Sequence, residues 1–506
     1  MFQRRDLLKL AGSGLLAGAA APLAALAQNG EPAPFDAASI AVLAQALAKR
    51  PFKAPVAELP DIFGDLSFEQ YVGIRRKSEA MIWGAEATGF VIEPLHRGFL
   101  FTAPMEIFVV ENGLAQKLGY DAAKYDFGKV QPPAQNPAIG FSGFRVLQPR
   151  DGGGLQQLAL FQGASFFRAI ARGQTLGTMA RALSLRTADP KGEEFPVFRA
   201  VWIEKPVLAS QTLAIHALID SESIAGAYRF TLRPGEATII DTECTLFARS
   251  ALDHIGIGGM SASYLYGPID RRRAEDIRPG VYEVNGLQML TGKGEWLWRP
   301  VANRDTLQIS AFADANPRGF GFLQRDRDFD HFQDDDQHWE RRPSLWIEPI
   351  GDWGEGAVAL VEIPSESEAN DNIIAYWRPK AAIAAGESAA FAYRQFWCWT
   401  PPERPTLASV VNSRGGRGTQ GKRRRFVVDF AGEVFADGAK IPDIRPVLTL
   451  VPGTVAAFRT FAMQDRKSFR VAFEIDPGGE AYSEIRLVLE AAGKPVSETW
   501  LYRWTA

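Results

Sequence analysis

Carboxylates and tryptophans crowd residues 264–378 in a combination that suits carbohydrate chemistry. The tryptophans of this segment are Trp296, Trp298, Trp339, Trp346, Trp353 and Trp377. Sugar-binding clefts set aromatic faces against the C–H surface of pyranose rings, and carboxylates, amides and arginines bond the hydroxyl groups. Hydrolysis of a glycosidic bond also needs one protonated and one ionised carboxyl group. Composition therefore permits a protein that acts on carbohydrate, although each tryptophan taken alone is as easily a core residue.

Signatures of other chemistries are missing from the sequence. It contains no P-loop, no His-Glu-x-x-His and no Gly-x-Ser-x-Gly. The run Gly256–Gly259 lacks the spacing and the following helix of a dinucleotide-binding loop. Asp326, Asp328 and Asp330 begin like a calcium loop, but His331 stands where that loop needs glycine. The five histidines show no close ligand spacing, so the sequence predicts neither a metal nor a cofactor.

The elements that must position the carboxylates are mainly short strands. The 47 glycines and 32 prolines are scattered along the chain, which favours many turns. From residue 86 onward, apolar runs such as Met105–Val110 and Thr212–Ile219 alternate with turn residues at the spacing of sandwich strands. One helix is predicted over 37–49, with Asp36 as its cap. The sequence therefore predicts an all-β protein.

A break in composition divides the mature chain. Proline clusters begin at residue 401, and six of the twelve residues 414–425 are basic while none is acidic. This pattern predicts a linker over 401–425 between a large domain (28–400) and a small β-sandwich of immunoglobulin size (426–506). Arg414 and Arg417 in the basic segment are candidate sugar contacts if the segment closes over a ligand as a lid; a plain solvated tether is the alternative.

The first 27 residues have the pattern of an export signal. Arg4 and Arg5 form a twin-arginine motif, an apolar Gly/Ala/Leu run follows, and a small-residue cleavage site ends at Ala27. Pro22 and the abundant small residues argue against a stable membrane anchor. We therefore expect export in a folded state to the periplasm.

The net charge bears on whether the protein binds nucleic acid, and the cysteine content limits the disulfide bonds that it can form. Lys and Arg total 56 against 59 Asp and Glu, so no field of one sign favours nucleic acid. Cys244 and Cys398 are the only cysteines, and Cys398 falls in the apolar run 396–399. One disulfide or two buried free thiols both remain open.

Several motifs together carry a family resemblance over nearly the whole mature chain. They are Gly163-Ala164-Ser165-Phe166-Phe167-Arg168, Gly192-Glu193-Glu194-Phe195-Pro196, Tyr264-Leu265-Tyr266-Gly267, Arg278-Pro279, Asn285-Gly286-Leu287, Gly294-Glu295-Trp296-Leu297-Trp298-Arg299-Pro300, Gly319-Phe320-Gly321-Phe322-Leu323-Gln324-Arg325, Arg342-Pro343-Ser344, Trp353-Gly354, Asn370-Asp371-Asn372-Ile373-Ile374-Ala375-Tyr376-Trp377 and Phe426-Val427-Val428-Asp429-Phe430. This set resembles the periplasmic glucan biosynthesis family, OpgG/OpgD, also called MdoG/MdoD. The twin-arginine leader is similar to the OpgD branch more than to OpgG.

The resemblance implies a fold and a substrate. The fold is a large N-terminal β-sandwich, related to galactose-mutarotase-like folds, followed by an immunoglobulin-like β-sandwich. The substrate is the β-1,2-linked glucose backbone of osmoregulated periplasmic glucans. Some members of the family are inverting β-1,2-glucanases and others are transglycosylases. Members are often dimeric, so a homodimer is expected.

The resemblance also implies roles for individual residues. The general acid is the Asp of the Asn-Asp-Asn segment, Asp371, and the general base falls on Glu283. At two positions this chain departs from the family pattern. Where the family has His followed by Asp, this chain has Tyr282 followed by Glu283. At a third position, the family has a Tyr that belongs to the path of the proton during the reaction, and this chain has Trp339. The indole N–H of Trp339 can donate a hydrogen bond but cannot accept a proton.

Two function classes follow from this mixture of matches and departures. The pair of carboxylates, Asp371 and Glu283, favours an enzyme that modifies glucan. The substrate-binding residues of such an enzyme would be Tyr282, Trp339, Arg342 and Trp377. The changes at Tyr282, Glu283 and Trp339 favour a glucan-binding scaffold that guides the chain without cleaving it.

Overall fold

The protein is almost entirely β-structure, as the sequence predicts. The computed structural model describes residues 31–150, 152–207, 210–271, 275–436, 443–463 and 467–506. The leader expected over 1–27 lies outside these described residues.

Three α-helices occur near the start of the described chain: α1 (Ala38–Ala48), α2 (Asp61–Gly64) and α3 (Phe68–Gly73). The helix predicted over 37–49 is α1, and the Asp36 carboxylate accepts a hydrogen bond from the backbone N–H of Ala38 at 3.1 Å. Helix α1 buries Ile40 and Leu43 against the large sheet, which is why its apolar positions recur at helical spacing.

Strands make up most of the remaining described residues. Those before residue 210 are β1 (Ala33–Pro34), β2 (Arg75–Arg76), β3 (Val91–Leu95), β4 (Glu106–Glu111), β5 (Leu114–Lys117), β6 (Tyr125–Asp126), β7 (Gly143–Pro149), β8 (Leu155–Gln162), β9 (Phe166–Ala169), β10 (Met179–Arg181), β11 (Ser184–Leu185) and β12 (Val197–Glu204). Those from 210 to 400 are β13 (Leu213–Asp220), β14 (Ile224–Arg233), β15 (Thr238–Ala248), β16 (Ile255–Ala262), β17 (Tyr264–Tyr266), β18 (Val281–Tyr282), β19 (Gly286–Leu290), β20 (Trp296–Pro300), β21 (Gln308–Ala315), β22 (Gly319–Leu323), β23 (Ser344–Ile350), β24 (Glu355–Glu362), β25 (Ile373–Pro379) and β26 (Ser388–Cys398). Those after 400 are β27 (Ser409–Arg417), β28 (Arg424–Ala431), β29 (Ile444–Val451), β30 (Thr454–Met463), β31 (Ser468–Asp476), β32 (Tyr482–Ala491), β33 (Lys494–Pro495) and β34 (Thr499–Thr505).

Two large sheets pack face to face in the N-terminal part. The larger follows the order β1-β5-β4-β12-β13-β14-β15-β26-β23-β22-β19-β20-β34-β32-β29, and the smaller follows β21-β24-β25-β16-β10-β9-β8-β7-β3. Their facing side chains form one extended apolar core. Alternation along β9 places Phe167 in that core and leaves Phe166 and Arg168 on the opposite side of the sheet.

A two-stranded ribbon, β17 with β18, stands beside these sheets. Tyr264 pairs with Tyr282, and Tyr266 pairs with Val281. Since this ribbon lies immediately after β16 and ends just before residue 283, it joins the smaller sheet to the candidate base.

The segment 401–425, predicted as a linker, is in part regular structure. Strand β27 pairs with β28, with one register shift between Val410 and Asn412; Arg414 lies opposite Val427 and Arg417 opposite Arg424. The two strands open a four-stranded sheet, β27-β28-β31-β30, that packs on the C-terminal strands of the large sheet. The linker prediction is therefore wrong for 409–417, because Gly and Arg here occupy an edge strand, where charged side chains are tolerated.

The C-terminal sandwich is joined to the large one through a shared sheet. Strand β34 runs parallel to β20, with Thr499 opposite Leu297 and Trp500 opposite Trp298. Trp298 also belongs to the C-terminal apolar core. The two sandwiches thus share both backbone hydrogen bonds and a core.

Both cysteines are buried free thiols. Cys244 lies opposite Phe391 in the pairing of β15 with β26, whereas Cys398 ends β26. Burial raises the pKa of each thiol to about 12, which leaves both unreactive. Within the described ranges, no helix is both long and apolar enough to cross a membrane.

Candidate active site

The Asn370-Asp371-Asn372 turn, which leads into β25, is fixed by its last residue. The side chain of Asn372 accepts a hydrogen bond from the N–H of Tyr264 at 2.9 Å and donates to the carbonyls of Tyr264 and Ile363 at 3.1 and 3.0 Å. These three bonds join the turn to β17 and to the end of β24. They hold the preceding Asp371 in one place, because a buried amide with all its partners made does not rotate freely.

Asp371 receives two donors from the smaller sheet. Arg168 Nη2 donates to Asp371 Oδ2 at 3.3 Å, and Ser261 Oγ donates to the same oxygen at 3.4 Å. Arg168 comes from β9 and Ser261 from β16, so sheet pairing brings together residues that are far apart in sequence. The carboxylate is mostly covered, with 18% of its side chain exposed.

Glu283 follows β18 directly and reaches the same region. Its backbone N–H donates to the carbonyl of Ser263 at 2.9 Å, and its Oε2 accepts from the N–H of Ser263 at 3.2 Å. The nearest cation is Arg342, whose Nη1 lies 4.0 Å from Glu283 Oε1. Glu283 is only 7% exposed, so it is a buried carboxyl group with few strong donors.

This setting changes the acidity of Glu283. Burial raises the pKa of Glu283 above its usual range, and the negative charge of Asp371 raises it further. The cations Arg342 and Arg168 act in the opposite direction but do not cancel the effect. Burial also lowers the pKa of the Arg342 guanidinium. Glu283 therefore ionises less readily than an ordinary glutamate, because it is buried beside a second carboxyl group.

Buried polar atoms without a partner surround the two carboxyl groups. Among the described residues, Arg168 Nε, Arg342 Nε and Ser263 Oγ are buried and make no hydrogen bond. Native interiors rarely leave such groups unbonded, and each one costs stability. Their grouping beside Glu283 and Asp371 is typical of a binding site for a polar ligand.

One family model matches the chain over residues 35–504: "Periplasmic glucan biosynthesis protein, MdoG". The chain belongs to this family. The family is periplasmic, which agrees with the export signal expected from the sequence.

Individual proteins with names from the same family are similar to this chain over most of its length. "Glucans biosynthesis protein G" of Vibrio cholerae serotype O1 (strain ATCC 39541) is 41% identical over 478 residues, which covers 93% of this chain and 87% of the relative. The protein of the same name from Shewanella baltica (strain OS195) is 42% identical with the same coverage. That from Rhodopseudomonas palustris (strain BisA53) is 39% identical over the full length of both chains. These relatives are named for the G branch, whereas the leader alone favours the D branch.

Among solved structures, the Slr1438 protein of Synechocystis sp. PCC 6803 aligns with a TM-score of 0.15 and 8% identity. The alignment covers 51% of this chain and 91% of that one. Similarity at this level indicates neither a shared fold nor a shared function.

Arg278 ties together the loops that surround the cluster in this family member. Its guanidinium donates to Asp276 at 2.8 Å, to Asp334 at 2.7 Å and to Glu368 at 2.5 Å. Glu368 precedes the Asn370-Asp371-Asn372 turn, and Asp334 also accepts from Trp339 Nε1 at 2.9 Å. Arg278 therefore links the acid-bearing turn to the loop that carries Trp339.

Trp339 and Arg342 form the wall next to Glu283. The Arg342 guanidinium carbon lies 5.0 Å from the centre of the Trp339 ring, and Arg342 Nη2 donates to Gln337 Oε1 at 2.7 Å. Gln324 holds the wall in place, since its side-chain N–H groups donate to the carbonyls of Tyr282 and Trp339. The structure thus brings both predicted residues to the candidate base.

Tyr282 points away from the cluster. Its hydroxyl donates to Asp326 Oδ2 at 3.0 Å, and His331 Nδ1 lies 2.8 Å from Asp326 Oδ1. These side chains line a cavity of about 560 Å³ between the two sandwiches, with Arg414 on its far wall. Because neighbouring residues of an extended chain face opposite ways, Tyr282 and Glu283 serve different compartments.

The tryptophans of segment 264–378 do not form an open sugar-binding cleft. All six are buried, and Trp377, predicted as a substrate contact, is 0% exposed in the main core. Trp298 is covered by the Arg325 guanidinium, 3.5 Å from the ring centre. The prediction that Trp377 binds substrate is wrong, because its side chain is fully buried in the core.

Arg414 and Arg417 lie apart from the carboxylate cluster. Both are exposed on β27, and Arg414 Nη2 is 3.4 Å from Asp429 Oδ2. Arg414 therefore belongs to a paired strand and has an acidic partner, and the choice between a lid and a tether stays a prediction.

Sequence reasoning did not assign Arg168, Ser261 or Arg278 to the site. Arg168 ends the Gly163–Arg168 motif and Arg278 stands in an Arg-Pro pair, so both had a signal in the family motifs. Ser261 had none, because only the pairing of β16 with its neighbours brings it to Asp371. In the described part of the chain, no group of His, Cys, Asp and Glu has an arrangement that could hold a metal ion.

Proposed function

We propose that the protein is an enzyme that acts on the β-1,2-linked glucose backbone of osmoregulated periplasmic glucans. It cleaves the backbone with inversion or transfers the cleaved chain to another acceptor. The observation that carries the proposal is the meeting of Asp371 and the buried Glu283, with Arg168 and Arg342, in one partly covered cluster. Two carboxyl groups in different environments are what glycosidic cleavage needs.

Asp371 is the proposed general acid, which protonates the oxygen of the departing glucose. In that role it must carry a proton, and a protonated carboxyl group gains little from the Arg168 cation. We therefore expect a bound glucan to draw Arg168 away from Asp371 and to take up its donors. Ser261 Oγ, which lies 3.4 Å from the carboxyl oxygen, stays to orient it.

Glu283 is the proposed general base, which removes a proton from the attacking water. A base works best when its pKa is near the working pH, and burial together with Asp371 moves the pKa of Glu283 upward in that direction. The activity should therefore fall on the acidic side as Glu283 takes up a proton, at a pH above the usual range of a glutamate.

A second candidate function is a non-catalytic scaffold that binds glucan and guides its synthesis. The observation that favours it is Trp339, whose indole N–H is committed to Asp334 at 2.9 Å and which has no oxygen to relay a proton. The side chain of Glu283 is also one methylene longer than the aspartate that the family has at the base position, which likewise favours the scaffold.

The test is to incubate the purified protein with linear β-1,2-glucan and to analyse the products by mass spectrometry and reducing-end assay. Hydrolysis gives shorter chains with new reducing ends. Transglycosylation redistributes or cyclises chains without new ends. Asp371→Asn is the control for contaminating activity. Binding without any product would favour the scaffold and contradict the enzyme.

A further inference from the structure

Six aromatic side chains form a nearly continuous row beside the carboxylate cluster. We call it the aromatic ridge, and its members are Phe68, Tyr71, Phe99, Phe101, Phe166 and Phe195. Successive ring centres are 5.8 Å apart for Phe68 and Phe99, 6.3 Å for Phe99 and Tyr71, and 5.6 Å for Tyr71 and Phe101. Phe166 and Phe195 are 5.9 Å apart.

Gly163 joins the two parts of the ridge. A Cβ atom at this glycine would lie 3.6 Å from the Phe166 ring and 3.9 Å from the Phe101 ring. Its φ of +84° is a conformation that favours glycine. The tight turn at Gly163 therefore lets the rings of Phe101 and Phe166 approach each other.

The rings of the ridge are accessible to a ligand. Phe68 is 62% exposed and Phe195 is 47% exposed, and the other four rings are half-buried. Large phenylalanines are normally buried, and grouped exposed ones are a sign of a binding surface.

The ridge begins next to the candidate acid. Phe166 and Arg168 are two residues apart on the same side of β9, which places their Cα atoms about 7 Å apart. Arg168 contacts Asp371 directly. A chain whose scissile bond lies at Asp371 would thus reach Phe166 within one or two sugar units.

Polar groups lie between the rings. The Arg181 guanidinium carbon is 5.4 Å from the Phe166 ring centre, and Arg181 pairs with Glu193 at 2.5 Å, yet its buried Nε has no partner among the described residues. Farther along, Gln162 Nε2 donates to the Tyr71 hydroxyl at 2.6 Å. Flat apolar faces alternating with donors and acceptors match the two kinds of surface on a glucose ring.

We propose that the aromatic ridge binds the part of the glucan chain that extends away from the reacting bond. The inference rests on the proposed function, since it takes the same β-linked glucan as its ligand. It adds that tight binding requires a long glucan, because only a glucan that extends past Arg168 can stack on the rings of Phe166, Phe195 and Phe101. A protein partner fits less well, since the ridge leads through Phe166 and Arg168 to the polar carboxylate cluster.

The test uses the Asp371→Asn protein, so that ligands remain intact, and measures binding of linear β-1,2-gluco-oligosaccharides by calorimetry. Phe195→Ala and Phe101→Ala should each weaken binding of long chains about tenfold and leave di- and trisaccharide binding unchanged. Phe458→Ala is the matched control: it removes an exposed phenylalanine from β30, in the C-terminal sheet, and should change neither.

A second measurement does not depend on substitutions. Long glucan should protect residues 97–101 and 193–196 of the Asp371→Asn protein from hydrogen exchange, whereas trisaccharide should not. Equal binding by all variants, together with no protection, would overturn the ridge while leaving the proposed function intact. If the unsubstituted protein neither binds nor changes glucan, both proposals fail.

Discussion

Two buried glutamates, one in the carboxylate cluster and one between the two sandwiches, differ in how their charges are met. Glu498 lies where the sandwiches meet, and each of its carboxylate oxygens accepts two hydrogen bonds, from Arg325, Gln288 and the N–H of Val410. Glu283 is also buried but accepts one backbone hydrogen bond, and its nearest cation is 4.0 Å away. The first arrangement is complete without a ligand and the second is not.

This is the difference expected between a structural buried charge and a functional one. A buried carboxylate with all its hydrogen bonds made stabilises the contact between its neighbours, and nothing further can bind it. A buried carboxyl group with few partners is held at a cost in stability, and such groups cluster at catalytic sites. The following predictions test whether this distinction holds here.

The largest effect is expected at the carboxylate cluster. Replacing either carboxyl group by its amide, Asp371→Asn or Glu283→Gln, should reduce glucan cleavage at least about 1,000-fold, because the acid or the base is lost. Binding of glucan should stay within a few-fold of the unsubstituted protein. The rate is measured by reducing ends released from linear β-1,2-glucan, and unchanged turnover in either variant would remove that residue from the mechanism.

The next effect concerns stability where the two sandwiches meet. Glu498→Ala should lower the free energy of unfolding by about 3 kcal/mol, because it leaves the Arg325 guanidinium, 18% exposed, without its carboxylate. The matched control is Glu484→Ala, which breaks an exposed pair with Arg503 and should cost less than about 1 kcal/mol. Urea unfolding measures both, and equal losses would show that burial does not distinguish the two pairs.

Glu283→Gln should raise the free energy of unfolding, in contrast to Glu498→Ala, and the change should be smaller. The raised pKa means that the folded protein holds this proton to higher pH than the unfolded chain does, so the contribution of Glu283 to stability is lost as pH rises through the raised pKa. Glutamine does not ionise. The variant should therefore be more stable than the unsubstituted protein at pH 7, and the gain should disappear below the usual pKa of glutamate. Urea unfolding at both pH values checks this, and a variant less stable at pH 7 contradicts it.

The smallest effect is expected at β27. Arg414→Ala and Arg417→Ala should change glucan affinity by less than about twofold, since both side chains are exposed on a paired strand away from Asp371. Calorimetry with long glucan measures the affinity. A loss of tenfold or more would restore the lid that the sequence suggested.

Local patterns predicted the elements of this fold well. Alternating apolar residues and scattered turn residues indicated strands, and the boundaries expected for α1 differ from the structure by one residue at each end. Residues 409–417 were misassigned because their Gly and Arg content is typical of loops, although an edge strand with a solvated face accepts both.

The site was only partly predictable, because its residues meet through pairings that span the whole chain. Asp371 and Glu283 were found through the family motifs, and Trp339 and Arg342 do lie beside Glu283. Trp377 was assigned to the site wrongly, since composition does not tell a tryptophan in a cleft from one in a core. Ser261 was missed because nothing near it in the sequence marks the contact with Asp371.

The parallel pairing of β34 with β20 bears on the order of events during biosynthesis. Strand β20 has its hydrogen-bonding edge completed by Thr499 and Trp500, about two hundred residues later in the chain. While the ribosome is still making the residues between them, that edge stays open and the large sheet is unfinished. A chain exported unfolded would expose this edge in the periplasm until its last strand arrived. The twin-arginine leader predicted from the first residues would instead deliver the chain with the edge already closed by β34.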